Sequence, residues 1–261
     1  MKIVFQVGKT ELSSRILVPS SRLSEQVRLV VDKAGLMYSL TARESHSGTK
    51  PQVLLYSETA VRVLEWDREE DGPVVINLMD VRKLVNAMNQ IADEDISLVF
   101  DGSAIMYDSP TISFRFGVMV EEAMDKLVLS RKTVGMLIES GKTKFKMECE
   151  VLKKLLSVTM CMTSCDRMKI YTVGNSVKCV HSDPQSGSSD RVEMIVSTSY
   201  TGSPIGPEDS VIVSEDVFKY LVSNRFDACE VSVSKNGSVL FTIQDDKFAM
   251  RYIAPRMLVR S

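Results

Sequence analysis

Phe248-Ala249-Met250-Arg251-Tyr252-Ile253-Ala254-Pro255-Arg256 stands near the end of the 261-residue chain. It reads as a last β-strand running to Arg251 or Tyr252, closed by an apolar Ile-Ala-Pro end. Proline has no N–H and cannot continue a sheet ladder, so the chain leaves the sheet near Pro255. A terminal segment is normally polar and frayed. An apolar one lies against something.

Working outward from Arg251, the same pattern is found a second time. Asp216-Val217-Phe218-Lys219-Tyr220 leads to Asn236-Gly237-Ser238 and then to Met250-Arg251-Tyr252, while Asp80-Val81-Arg82-Lys83-Leu84 leads to Asp101-Gly102-Ser103 and then to Phe114-Arg115-Phe116. From Asp to Gly is 21 residues in the later copy and 22 in the earlier; from Gly to Arg, 14 and 13. Asn-Gly and Asp-Gly mark hairpins, because both residues tolerate positive φ. Upstream, Glu11–Leu17 lies 139 residues before Glu150–Leu156, and the turn glycines Gly35 and Gly174 are again 139 apart. Each half therefore reads strand, helix, hairpin strands, helix, hairpin strands. The expected fold class is α+β in two tandem copies, over 1–116 and 141–261.

Segments such as Val27–Val31, Gly35–Thr41, Ile96–Phe100, Ile112–Phe116, Met168–Val173, Val192–Thr198, Val231–Ser234 and Val239–Ile243 carry the strand signal, many alternating apolar and polar residues. Polar loops are expected at Glu44–Lys50 and Ser182–Asp190. Residues 117–140 read as a connector, with acidic Glu121, Glu122 and Asp125 beside apolar Met119, Leu127, Val128 and Leu129. A free linker is poor in leucine and valine, so this one is expected to lie along the protein.

The helical stretches bear on function. In Asp80–Ile91 the apolar Val81, Leu84, Val85, Met88 and Ile91 share a face, and Arg82, Lys83, Asn86, Asn89 and Gln90 point the other way. In Glu150–Met162 the core side is Val151, Leu152, Leu155, Val158, Thr159 and Met162, leaving Lys153, Lys154 and Ser157 outward. Asp216–Ser223 exposes Lys219, with Arg225 just after; the first stretch exposes Arg15, with Lys9 before it and Arg22 beyond. Acids at or beside three of the helix starts (Asp80, Glu150, Asp216) suit the dipole and the orphan N–H groups. Singly, each cationic back is an ordinary solvated face. Four of them in a chain of net charge −2 would make one positive surface, able to attract phosphates without reading base sequence.

Composition narrows the alternatives. With 44% hydrophobic and 25% charged residues the chain is of ordinary globular type, with no run of about 18 apolar residues for a membrane span. Met1–Val7 is too short and strand-like for a signal peptide, so a cytoplasmic location (nucleoid or viral replication site) or a nuclear one is expected. Cys161, Cys165, Cys179 and His181 lack the paired close spacing of a zinc site; buried free thiols are the expectation for all five cysteines, and no metal or cofactor is called for. Gly141-Lys142-Thr143 imitates a phosphate-binding loop, but Gly135 is six residues upstream and a strand, not a helix, should follow. No catalytic residue emerges, and a nucleotide-hydrolysing enzyme is the remote alternative.

The two repeats, the connector, two helices per repeat and the tail Tyr252-Ile253-Ala254-Pro255 resemble sliding clamps of the proliferating cell nuclear antigen type, over nearly the whole chain. The resemblance implies a DNA polymerase processivity factor whose two-domain subunits close three at a time into a ring. Sheets form the outer rim, and the helices face double-stranded DNA through Arg15, Arg22, Arg82, Lys83, Lys153, Lys154, Lys219 and Arg225. It implies that DNA polymerase and clamp loader dock by short peptides against Leu127 and Leu129 of the connector and Tyr252, Ile253, Ala254 and Pro255 of the tail. It also implies that Thr111–Gly117 of one subunit pairs with Val192–Ser197 of the next. The chain departs from the pattern at Pro19, which is expected to shorten the first helix. It departs again at Asn86 and Asn89, where the family tends to lysine, and in a longer connector carrying Lys126, Arg131 and Lys132. A subunit of a checkpoint-type hetero-trimeric clamp, or a monomeric polymerase accessory factor of the same fold, fits the patterning equally.

Overall fold

In a computed structural model, residues 1–44, 51–68, 70, 72–119, 130–159, 167–182 and 191–257 are described. Contacts group the chain into two units. One holds Met1–Arg43, Leu55–Leu129 and Gln244–Met250; the other holds Glu44–Leu54, Ser130–Ile243 and Arg251–Ser261.

The first unit opens with β1 (Lys2–Gly8), whose alternate residues Ile3, Phe5 and Val7 are buried. A continuous helical segment follows: α1 (Lys9–Leu12), a π-helical turn (Ser13–Leu17) and α2 (Val18–Leu23). Pro19 was expected to cut this helix short and does not. In an α-helix its ring would clash with the carbonyl four residues back. The π turn ahead of it widens the helix, with the Val18 N–H donating to the Ser13 carbonyl five residues back, and Pro19 is accommodated. Strands β2 (Val27–Val31), β3 (Leu36–Glu44), β4 (Pro51–Ala60), β5 (Arg62–Asp67) and β6 (Val74–Leu78) lead to α3 (Val81–Met88), then β7 (Asp95–Phe100), β8 (Ala104–Asp108) and β9 (Ser113–Met119). They line up as β4-β3-β2-β6-β9-β8-β7-β1-β5. One core joins them to the helices: Leu12, Ile16 and Leu17 meet Val81, Leu84 and Met88 over Phe5, Leu29, Ile76 and Leu98.

The second unit begins with α4 (Arg131–Glu139), β10 (Gly141–Glu148) and α5 (Cys149–Thr159). Next come β11 (Arg167–Val173), β12 (Ser176–Ser182), β13 (Arg191–Ser197), β14 (Thr201–Gly202), β15 (Val211–Ser214), α6 (Asp216–Val222), β16 (Ala228–Ser234), β17 (Val239–Gln244) and β18 (Phe248–Ala254). One run is β14-β10-β16-β17-β18, with Arg251–Ala254 the part of β18 in this unit; the other is β13-β12-β11-β15. The α+β class, antiparallel sheet with a helix pair in each half, is as read from the sequence. Helix α4 is an addition, and 117–140 is not connector throughout, since β9 runs on to Met119 and α4 starts at Arg131.

The four turn glycines read from the repeat all adopt positive φ: Gly35 at 90°, Gly102 at 92°, Gly174 at 56° and Gly237 at 80°. Gly174 has nothing within 4 Å of where a Cβ would stand, whereas a Cβ on Gly35 would lie 2.7 Å from the Val61 carbonyl oxygen. Gly174→Ala should therefore cost only the left-handed backbone penalty, roughly 1–2 kcal/mol. Gly35→Ala should cost clearly more. Urea unfolding of the two variants checks the order, and equal losses would contradict it.

Candidate nucleic-acid interface

Within the first unit, α2 and α3 pack side by side, and Ile16 and Leu17 of the turn ahead of α2 share one core with Val81, Leu84 and Met88 of α3. Asp80 caps α3 by accepting from the Lys83 N–H at 3.1 Å, and the Lys83 ammonium returns to the same carboxylate at 3.0 Å. Those hydrogen bonds hold the Asp80 carboxyl below the usual carboxylate range. Arg82, Lys83, Asn86, Asn89 and Gln90 are all exposed, as the periodicity required. Arg22, in the last turn of α2, is exposed too. Arg15 is differently placed. Its guanidinium pairs with Asp245 and lies 4.2 Å above the Phe248 ring. Burial works against the Asp245 charge, but the Lys247 amide, Arg15 and the Phe248 amide outweigh it and keep its pKa lowered. Arg15 is thus already engaged by an aromatic ring and an acid from another element.

In the second unit α5 packs on α6. Leu152 and Leu155 are buried, with Val217, Phe218 and Leu221 of α6. Val158, read as core, is 40% exposed; among the apolar residues assigned to this face it lies too near the helix end to be covered. Lys153 and Lys154 point outward. Lys153 bonds Glu150 at 2.6 Å, which raises its pKa and secures its charge. Lys219 lies 3.1 Å from Glu215 and 3.4 Å from Asp216; burial works against its charge, but the Glu215 hydrogen bond and charge prevail and its pKa is raised. Glu215 in turn meets His181 at 3.1 Å, both nearly buried, so the acid beneath Lys219 is fixed from the sheet side. Arg225 is exposed just beyond α6. Exposed pairs such as Lys83–Asp80 and Lys153–Glu150 contribute little to stability and are screened by salt. A phosphate can take over such an ammonium at small cost.

Strand β18 does not stop at Tyr252. It continues to Ala254, and Tyr252, Ile253 and Ala254 are buried, with the Tyr252 hydroxyl accepting from Asn224 at 2.8 Å. The apolar end is therefore sheet, not a segment that has left it; Pro255 is only partly exposed. Leu127 and Leu129, the other half of the expected peptide groove, lie outside the described residues, as do the two polar loops for 45–50 and 183–190. So do Cys161 and Cys165. Cys149, Cys179 and Cys229 are buried free thiols, and burial pushes Cys179 and Cys229 up to about 12.

Among the described residues, β9 and β13 are two of the strands that leave an edge open. Ser113–Gly117 of β9 pairs with β8 on one side, and only Val118 and Met119 reach β6 on the other. β13 is the last strand of its sheet and leaves Ile195 half exposed.

No protein-family model matches the chain, and no curated protein matches it by sequence. Solved structures do match. The chain is similar to the PCNA of A. fulgidus, solved with the C-terminal region of FEN-1 bound, at 12% identity and a TM-score of 0.70, covering 99% of this chain and 100% of that one. It is similar to the DNA polymerase III beta subunit of Thermotoga maritima at 16% identity and a TM-score of 0.68, over 99% of this chain and 66% of that one. The PCNA of Entamoeba histolytica matches at 10% identity and a TM-score of 0.68, over 98% and 99%. The chain has the sliding-clamp fold.

Proposed function

We propose that this protein is a DNA sliding clamp, a processivity factor that encircles duplex DNA and tethers a replicative DNA polymerase. The observation that carries the reading is the helix pair of each unit. It turns Arg22, Arg82 and Lys83 outward in the first, and Lys153, Lys154, Lys219 and Arg225 in the second, on a fold that matches clamps over its full length. Such a surface holds phosphates without sequence preference and lets them exchange, as sliding requires. Three copies of 29.1 kDa close into an 87.3 kDa ring, with β9 of one subunit continuing the sheet at β13 of the next. Open edges that are complementary in this way are otherwise an aggregation hazard. Polymerase and clamp loader dock by short peptides beside Pro255 and the connector leucines, Leu127 and Leu129. The function needs no cofactor and no catalytic residue.

The test is topological. Loaded on a nicked circular plasmid by the loader of its host, the protein should stay bound through gel filtration at high salt. Cutting the circle once should release it. Retention on linear DNA equal to that on the circle would refute encirclement.

A further inference from the structure

Strand β10 carries charge that the helix faces do not account for. Its sequence Gly-Lys-Thr-Lys-Phe-Lys-Met-Glu buries Thr143, Phe145 and Met147 and exposes Lys142, Lys144 and Lys146. Alternation puts Lys144 and Lys146 on one face about 6.7 Å apart along the strand, and Lys142 is exposed at the irregularity between Gly141 and Thr143 at the strand's start. That face is the one turned away from α6. Phe145 sits opposite Val231, Val231 opposite Phe241, and the Phe241 ring meets Phe218 of α6 at 5.5 Å on the other side of the sheet.

The open-edged strands β9 and β13 show nothing similar. They expose Ser113, Arg115 and Gly117, and Arg191, Glu193 and Ile195, respectively. On β10, Lys146 is partly offset by Glu148 at 3.3 Å and stands opposite Glu230. Lys142 and Lys144 have no side-chain partner among the described residues. The backbone beneath them is closely packed: a Cβ at Gly202 would lie 1.8 Å from the Lys142 carbonyl oxygen, which accepts from the Ser203 N–H at 2.9 Å, and a Cβ at Gly141 would lie 2.0 Å from Ser232 Oγ, so the lysine side chains are what the strand presents. Lys144 lies in register between Thr201 of β14 and Ser232 of β16. The Thr201 hydroxyl is exposed beside it; the Ser232 hydroxyl is buried and has no hydrogen-bond partner among the described residues.

We propose that this face of β10 is a second nucleic-acid contact, taking the phosphodiester backbone of a single strand along Lys142, Lys144 and Lys146. One row of cations suits one extended strand, since the spacing is commensurate with successive phosphates and a duplex would present two rows on a curved surface. The exposed Thr201 beside the central lysine adds a donor for the same oxygens. The contact is electrostatic, indifferent to sequence and steeply salt-dependent. Because it lies on the face away from α6, it stands independently of the encirclement reading.

The experiment uses the full chain, fluorescein-labelled oligo(dT), and the triple variant Lys142→Gln, Lys144→Gln, Lys146→Gln. Anisotropy at low salt should fall off with roughly tenfold weaker affinity in the triple variant. The slope of log K against log salt should flatten by about 2, three phosphates at about 0.7 each. The variant should keep its circular dichroism melt and its retention on circular duplex. The reverse set, Lys153→Glu with Lys154→Glu, should load poorly onto circular duplex and keep oligo(dT) binding. Unchanged oligo(dT) affinity in the triple variant overturns the proposal. So does a loss confined to the helix variant, or a triple variant that loses binding to a poly-glutamate peptide while keeping oligo(dT), which would make the row a site for acidic protein segments.

Discussion

Replacing Lys153 and Lys154 by Glu should cut processive synthesis at least roughly tenfold. The two ammonium groups project from the exposed side of α5, whose opposite side is locked by Leu152 and Leu155. Each reversal changes the local charge by two, so a trimeric ring loses twelve positive charges' worth of attraction at one level of its channel. The effect should grow at low salt and shrink at high salt, where the wild-type contact is itself screened. Lys153 also gives up its bond to Glu150, and three like charges then crowd about one helix turn. That repulsion is at the surface and should leave the melting midpoint nearly unchanged. Primer extension on a long single-stranded template, with polymerase and loader present, reads the result. Wild-type product length from the double variant would remove α5 from the DNA-facing surface.

Ile195→Asp should break the ring. Ile195 is half exposed on the edge strand β13 and stands opposite Lys178 of β12, so an aspartate there is tolerated in the single subunit. Between subunits it becomes a buried carboxylate, and the Lys178 ammonium is already held by Glu193. Such a charge costs about 3–5 kcal/mol, which weakens each seam by roughly two to four decades. Light scattering at micromolar concentration should move from 87.3 kDa toward 29.1 kDa, with the circular dichroism melt little changed. A variant that keeps the trimer mass would put the seam elsewhere, and a wild-type protein already at 29.1 kDa would favour a monomeric accessory factor of the same fold.

Much of this was legible in the residues. The 3–4 spacing of Val81, Leu84, Met88 and Ile91 placed α3 and its exposed back, because a helix half-buried on one core has no other way to satisfy its apolar side chains. The glycine turns were legible for a stereochemical reason. Pro19 misled because the rule against interior proline assumes a bond to the fourth residue back, and a π turn changes that geometry. The tail misled for a different reason: an apolar end looks uncovered when its neighbours are distant in sequence. Tyr252 finds Asn224, and nothing local announces that. Helix α4 had a signal that went unread. Ser130 accepts from the Thr133 N–H as an N-cap, and Val134, Leu137 and Ile138 keep helical spacing. The engagement of Arg15 by Asp245 and Phe248 spans 230 residues and has no sequence signature.

The paired turns at Gly35 and Gly174, and at Gly102 and Gly237, have a consequence for how such a chain ages. Side chains in a core can be exchanged for others of similar bulk, and surface residues drift almost freely. A corner with φ near +90° offers no such latitude, because an L-residue brings a β-carbon into the carbonyl that follows. In both halves of this molecule the direction in which each hairpin doubles back is set at a residue with no side chain to exchange. These corners should therefore tolerate substitution less than the strands they join.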